Sequence, residues 1–238
     1  MIAPRICLIH ATPLAVAPVQ AAFERLWPEA VRMNLLDDRL APDLEATGRI
    51  DAALMERFAA LARYAVQAGA QGVLFTCSAF GPAIEAAAAA AGVPTLKPNE
   101  AMFDEALDRC AARAAPGRAA RIGMVATFAP SVAGMREELL ALAARRGIAC
   151  TLQVQCPGGA LQALREGRAD AHDALVEQAA GRLAGCDVLM LAQFSMAHLR
   201  ERAAAAAGIA ALSSPDSAVR RLRACLADPI PSPSTPHP

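Results

Sequence analysis

The chain of 238 residues carries 23 basic and 23 acidic side chains, so its formal net charge is zero. Charges break its apolar runs well before the ~20 residues that a membrane-spanning helix needs, and no stripe of Lys and Arg offers a site for a phosphate backbone. We therefore expect a globular protein with no nucleic-acid or membrane partner, long enough for one large domain or two small ones.

Predicted strands and helices alternate along the chain. The first half is predicted to contain strand 5–10, helix 13–27, strand 31–36, helix 50–68, strand 72–77, helix 82–91 and strand 93–96. The second half is predicted to contain strand 121–126, helix 131–146, strand 149–155, helix 159–183, strand 187–192, helix 196–207, strand 209–212 and helix 215–226. This alternation is typical of parallel sheets that helices cover on both faces.

The two halves repeat each other at an offset of 116 residues. At this offset the apolar strand 5–9 aligns with 121–125, and the apolar run 73–75 aligns with 189–191. Glycines that follow predicted helices also align. The repeat predicts two halves with the same order of strands.

We predict an α/β fold of two tandem, pseudo-twofold-related domains, each flavodoxin-like or Rossmann-like with a parallel sheet. Residues 1–97 plus 213–227 are predicted to form the first domain, and residues 98–212 the second. Residues 228–238 are rich in proline and polar residues, which predicts a disordered tail. Because ligands bind outside the carboxyl ends of parallel strands, we expect the active site in the cleft between the domains.

The cysteine and lysine content narrows the chemistry. Seven cysteines are scattered without any Cys-x-x-Cys pair, which favours reduced thiols in the cytoplasm over a disulfide scaffold or a structural zinc site. Lys97 is the only lysine, and its loop position predicts an exposed side chain. A pyridoxal cofactor, which needs a lysine Schiff base, is therefore not expected.

Candidate site residues collect at four predicted strand ends, which the repeat places at corresponding edges. They are His10, Thr12 and Pro13; Cys77, Ser78 and Ala79; Thr127 and Ser131; and Gln193, Phe194 and Ser195. The four hydroxyl groups of Thr12, Ser78, Thr127 and Ser131 are candidate donors to a substrate carboxylate. The alternative is that they cap the helices that follow.

The Thr-Cys-Ser sequence at 76–78 and the equivalent strand end at 192–195, on two tandem α/β halves, resemble the aspartate/glutamate/hydantoin racemase superfamily. The resemblance covers nearly the whole chain before the tail. It implies a cofactor-independent enzyme acting on a small carboxylate, and a homodimer. The family's racemases carry one cysteine at each of the two strand ends, and Cys77 stands at the first. The segment 126–131 resembles the family's carboxylate-holding loop, with Thr127 at the matching threonine.

Gln193 stands where the second cysteine of the family belongs. Glutamine is neither an acid nor a base at physiological pH, so symmetric two-thiol racemisation is not expected, although the amide can donate a hydrogen bond to an oxyanion. Cys77 precedes the predicted helix opened by Gly81-Pro82, whose unpaired amides and dipole favour a thiolate. His10 is a candidate to pair with Cys77 or to shuttle its proton.

Several functions remain open. We favour an isomerase that acts through Cys77 on the α-carbon of a small amino acid or carboxylic acid, with a non-thiol partner for which both His198 and Ser195 are open candidates. The alternatives are decarboxylation of a malonate-type acid followed by protonation by Cys77, and cis-trans isomerisation of a maleate-type acid by thiolate addition. A small-acid binding protein with a degenerate racemase site is the non-enzymatic alternative.

Overall fold

The computed structural model describes residues 3–112 and 118–227, and within them it contains two parallel sheets of four strands. The first sheet consists of β1 (Arg5–His10), β2 (Val31–Leu36), β3 (Gly72–Phe75) and β4 (Thr95–Leu96) in the order β2-β1-β3-β4. The second consists of β5 (Ala120–Val125), β6 (Cys150–Gln155), β7 (Val188–Leu191) and β8 (Ala211–Ser213) in the order β6-β5-β7-β8. The predicted α/β fold is confirmed.

The register of the strands reproduces the sequence repeat. Ile6 of β1 pairs with Gly72 of β3, and the residues 116 positions later, Ile122 and Val188, pair in the same way. The outer pair β2 and β6 deviates, because Arg5 pairs with Val31 whereas Arg121 pairs with Thr151, 120 positions after Val31. The second half therefore has four additional residues between its first two strands.

Ten α-helices lie within the described residues. They are α1 (Val16–Leu26), α2 (Leu40–Thr47), α3 (Ala52–Gln67), α4 (Gly81–Ala91), α5 (Glu100–Ala111), α6 (Val132–Arg145), α7 (Ala160–Arg165), α8 (Ala169–Gly181), α9 (Arg200–Ala207) and α10 (Ser214–Ala227). Short 3-10 turns precede four of them, at Pro13–Ala15, Ser78–Phe80, Ala129–Ser131 and Phe194–Leu199. Each of these turns directly follows the end of β1, β3, β5 or β7.

Three helical predictions need correction. Neither α2 nor α5 was predicted, although Pro42 of α2 lies in a first helical turn, where its missing amide hydrogen costs no bond. The helix predicted over 159–183 is two helices, α7 and α8, because Gly167 between them adopts the left-handed conformation with φ of 75°.

Helices cover both faces of each sheet. In the first sheet, Cys7 and Ile9 pack under α3 and α4, whereas Ile6 and Leu8 pack against α1 and α10. This alternation follows from the pleat, which directs successive side chains to opposite faces. In the second sheet, α5 and α6 cover one face, and α8 and α9 cover the other.

The helix after the last strand of each sheet packs on the other sheet. Met102 and Phe103 of α5, which follows β4, lie in the core of the second sheet, whereas Val219 and Leu222 of α10, which follows β8, lie in the core of the first. The starts of the two helices are joined, because Ser214 Oγ donates a hydrogen bond of 2.6 Å to Asn99 Oδ1. The two halves are therefore connected through their cores.

The remaining predictions about organisation stand as follows. No helix of the described residues is long and apolar enough to cross a membrane. The predicted disordered tail, residues 228–238, lies outside the described residues. The domain bounds, the homodimer and the cytoplasmic location stay predictions.

Two adjacent buried serines test the connection between the halves. Ser214→Ala removes the donor to Asn99 and is expected to lower the free energy of unfolding by about 1–3 kcal/mol. Ser213→Ala is the matched control, because the buried Ser213 hydroxyl has no hydrogen-bond partner among the described residues, and its loss is expected to change stability by less than about 0.5 kcal/mol or to increase it. Denaturant unfolding measures both variants, and equal destabilisation would contradict the assignment.

Candidate active site

A pocket lies at the carboxyl ends of β1, β3, β5 and β7, and residues from both halves line it. Its lining includes Thr12 after β1, Cys77 after β3, Thr127 after β5 and Gln193 after β7. Its volume is about 90 Å³. The two strand ends that the repeat pairs, at Cys77 and Gln193, therefore open into one small pocket.

Cys77 presents a thiol to this pocket in an extended backbone conformation, immediately before the 3-10 turn that leads into α4. Burial raises the pKa of the Cys77 thiol, and a hydrogen bond from the backbone amide of Ala79 opposes that rise only in part. The thiolate expected from the nearby helix start is therefore not what the structure favours, because the cost of desolvating an anion outweighs the amide's contribution. The raised pKa favours the protonated thiol at neutral pH, and this form can give a proton.

The amide of Gln193 is bonded to the β5 loop. The backbone N–H of Thr127 donates to Gln193 Oε1 at 2.8 Å, and Gln193 Nε2 donates to Ser131 Oγ at 3.3 Å. Ser131 Oγ donates in turn to the carbonyl of Phe128 at 2.8 Å. Gln193 thus orders the loop opposite Cys77, and one of its two amide protons has no acceptor among the described residues.

His10 is fully buried and lies outside the lining of this pocket. Its Nε2 is 3.1 Å from Asn34 Oδ1, which also accepts from Gln20 Nε2, so Nε2 of His10 carries the proton. Its Nδ1 is 2.9 Å from Thr76 Oγ1 and accepts from that hydroxyl. Burial lowers the pKa of His10. The neutral ring positions the end of β3, and neither of its nitrogens is placed to exchange a proton with Cys77.

The structure divides the other predicted site residues into two groups. The pocket lining contains Thr12, Ser78, Thr127, Phe194 and Ser195. The lining does not contain Pro13, Ala79 or Ser131. Ser131 accepts a hydrogen bond from Gln193, and the backbone amide of Ala79 donates one to the Cys77 sulfur. Both residues therefore contact a lining residue without lining the pocket themselves.

Sequence reasoning missed two charged residues that line the pocket. Glu45 of α2 and Arg165 of α7 form an ion pair with 3.7 Å between Arg165 Nη2 and Glu45 Oε1. Neither helix was recognised as a separate element. The repeat at offset 116 does not identify this correspondence, because the four additional residues before β6 shift it: α2 begins at Leu40 and α7 begins at Ala160, 120 positions later.

Two other sequence interpretations change. Lys97, predicted to be exposed, has a side chain that is only 15% exposed and forms ion pairs with Glu85 and Glu138. His198, considered as a replacement for the second thiol, contacts Asp173 at 3.0 Å and does not belong to the pocket lining. No group of three or more His, Cys, Asp or Glu side chains among the described residues is arranged to hold a metal ion.

Most of the chain matches a known protein family. The model of the Asp/Glu/hydantoin racemase family matches residues 11–222. The chain belongs to the Asp/Glu/hydantoin racemase family. A search of curated proteins gives no significant match. Membership in the Asp/Glu/hydantoin racemase family supports an enzyme with racemase, isomerase or decarboxylase-type activity.

Solved structures show the same two-sheet fold at low sequence identity. Allantoin racemase from Klebsiella pneumoniae has a TM-score of 0.67 and 17% identity, and the match covers 94% of this chain and 88% of that one. Glutamate racemase from Francisella tularensis has a TM-score of 0.66 and 14% identity, with 95% and 82% covered. Unliganded arylmalonate decarboxylase has a TM-score of 0.55 and 17% identity, with 93% and 92% covered. The predicted resemblance to this family is confirmed.

The protonation state of Cys77 can be measured by alkylation. Because burial raises its pKa, Cys77 is expected to react with iodoacetamide at neutral pH more slowly in the folded protein than in the unfolded chain. Mass spectrometry of timed digests measures the rate, with the exposed Cys156 as the internal control. Faster labelling of Cys77 in the folded state would mean that the site holds a thiolate.

Proposed function

We propose that this protein decarboxylates a small malonate-type acid and that Cys77 gives a proton to the resulting enediolate, without a cofactor. The observation that carries the proposal is the asymmetry of the pocket. Among the described residues that line it, Cys77, Glu45 and Arg165 are the titratable ones, and the latter two are paired with each other. One proton donor therefore faces the pocket floor.

Neutral donors are available for the acid's oxygens. The hydroxyl groups of Thr12, Ser78, Thr127 and Ser195 belong to the lining. Thr12 Oγ1 already accepts from the amide of Leu14, which leaves its proton to donate, whereas the Thr127 hydroxyl donates to Gln193 Oε1 at 3.5 Å and would have to exchange this long bond for one to the substrate. The unused amide proton of Gln193 adds a fifth candidate. Such fixed donors stabilise charge that develops on a carboxylate as it becomes an enediolate.

The proposed reaction balances with one thiol. The bond between the α-carbon and one carboxylate breaks, and carbon dioxide leaves. The electron pair of the broken bond stays on the α-carbon and is shared with the second carboxylate as an enediolate. Cys77 Sγ–H then protonates the α-carbon, and the thiolate regains its proton from solvent. The raised pKa of Cys77 suits this role, since the group must be protonated when carbon dioxide leaves.

Racemisation, by contrast, needs a base on one face and an acid on the other. Gln193 occupies the second face, and its amide oxygen is engaged by the Thr127 amide. Thiolate addition to a double bond needs the anionic form of Cys77, which burial disfavours. Among the reactions of the family, decarboxylation is the one that needs neither an acid nor a base on the side of Gln193.

The pocket also limits the substituent on the α-carbon. Leu14, Phe128, Leu161 and Phe194 are among its lining residues, and Glu45, the carboxylate that could bind an α-ammonium group, is paired with Arg165. An apolar substituent gains free energy by burial against these side chains. The proposed substrates are therefore malonates with an apolar substituent rather than amino acids.

The reaction is tested by its products. The protein is incubated in deuterated water with alkylmalonates, maleate and a panel of amino acids, and carbon dioxide release with one deuterium at the α-carbon is expected for the malonates. Cys77→Ala is expected to lower the rate by about 10²–10⁴-fold, as loss of a general acid does, whereas the control Cys156→Ala, outside the pocket lining, keeps the parent's rate.

Other products would overturn this proposal in favour of a stated alternative. Deuteration of amino acids without loss of carbon indicates the isomerase, and fumarate from maleate indicates cis-trans isomerisation. Binding of acids without turnover indicates a binding protein. A Gln193→Cys variant supplies a second thiol. When the monocarboxylic acid is added in place of the malonate, exchange of its α-hydrogen for deuterium by this variant and not by the parent would support the one-thiol account.

The pH dependence follows from the form of Cys77 that acts. The pKa of the thiol is raised, so the active protonated form is fully present across neutral pH and is lost only as pH rises past the raised pKa. We expect kcat/KM for an alkylmalonate to be flat between about pH 6 and about pH 8, below the ~8.5 of a free thiol, and to fall in more alkaline buffer. A rate that rises through this interval would mean that the thiolate is the active form.

A further inference from the structure

The ion pair between Glu45 and Arg165 lies on the solvent side of the pocket. Ala41 and Leu161 also line the pocket, each four residues before one member of the pair. Residues four apart lie on the same face of a helix, so α2 and α7 each present one apolar side chain and then one charged side chain to the pocket. Both charged side chains are 51% exposed, so they stand where the pocket meets solvent.

The pair determines the charge that the pocket presents to a substrate. Glu45 and Arg165 are the charged residues among the described lining, and their charges cancel. A separation of 3.7 Å between two half-exposed groups makes a weak ion pair. The guanidinium also has five N–H donors in a fixed fork, of which a single carboxylate oxygen uses few. A second carboxylate on a substrate could therefore bind Arg165, but it would have to do so beside the charge of Glu45.

We infer that Glu45 is a specificity-determining residue that neutralises Arg165 and so selects against acids with a second carboxylate on their tail. The inference rests on the proposed function for the position of the reacting carboxylate, at the Cys77 end of the pocket. The tail of the substrate then extends past Ala41 and Leu161 toward the pair. A neutral apolar tail leaves the pair intact, whereas an anionic tail is repelled by Glu45. Removal of that one carboxylate leaves Arg165 as an unopposed cationic site for the tail.

The test compares two acids of similar length, hexanoate and adipate, in binding to the full-length protein by calorimetry. The parent is expected to bind hexanoate more tightly than adipate. In Glu45→Gln, the affinity for adipate relative to hexanoate is expected to rise about fivefold or more, because a repulsion between carboxylates near 4 Å is removed. The rise should shrink with added salt, since both groups are half exposed.

Two further variants make the comparison specific. In Glu45→Gln combined with Arg165→Gln, the gained preference for adipate is expected to disappear, because the gain requires the guanidinium. Glu56→Gln is the matched control, since Glu56 also pairs with an exposed arginine, Arg63, but lies outside the pocket lining. It is expected to leave the adipate-to-hexanoate ratio at the parent's value.

The outcomes separate this inference from the proposed function. A ratio that is the same in the parent and Glu45→Gln overturns the inference, and so does a gain that survives in the double variant. The proposed function is assayed separately, as carbon dioxide release from butylmalonate by the parent protein. Failure of that assay together with the expected change in binding ratio would keep the selectivity of the pocket and remove the reaction. Failure of both acids to bind would overturn the inference alone, and the proposed function would still be decided by carbon dioxide release.

Discussion

Strand direction is the constraint on which the pocket depends. Because each sheet is parallel, the strands β1 and β3 end at one edge of the first sheet, and β5 and β7 end at one edge of the second. Each of these four strands passes directly into a 3-10 turn, so polar side chains and free amides collect where the chain leaves the sheet. The joined cores, with Ser214 bonded to Asn99, connect the two edges that supply the pocket lining. Most of the candidate site residues therefore lie within a few residues of the end of a central strand.

The two strand ends have diverged in their roles although the framework around them remains matched. At one end, burial keeps Cys77 in its neutral form. At the other, Gln193 has become part of the structure of the loop, because its amide oxygen accepts from the Thr127 backbone and its nitrogen donates to Ser131. A cysteine thiol is both a weak donor and a weak acceptor, so it could not replace the two hydrogen bonds that the Gln193 amide makes. A symmetric scaffold thus has a thiol at one of its paired strand ends and a bonded amide at the other, and the proposed transfer of a proton in one direction depends on that difference.

Much of this arrangement could be predicted from the sequence, and the limits have physical causes. Strands β1 and β2 occupy the predicted residues, because alternation and apolar runs are local signals. The repeat in the sequence is enough to pair Cys77 with Gln193, since they lie 116 positions apart. The burial of Lys97 could not be read locally, since it depends on carboxylates of α4 and α6. The neutral state of Cys77 and the tautomer of His10 likewise depend on how the surrounding elements enclose these groups, which propensity and spacing do not encode.

The position of α10 also has a consequence for the order in which the protein can be completed during synthesis. Ile6 and Leu8 of β1 share a core with Phe23 of α1 and with Val219 and Leu222 of α10, so one face of the N-terminal sheet is covered only by α1 while most of the chain is still being translated. The second sheet receives α5 from an earlier part of the chain and meets no such delay. The half that is made first is therefore the half that is finished last, and a chain that ended before α10 would leave one face of the first sheet with an incomplete core.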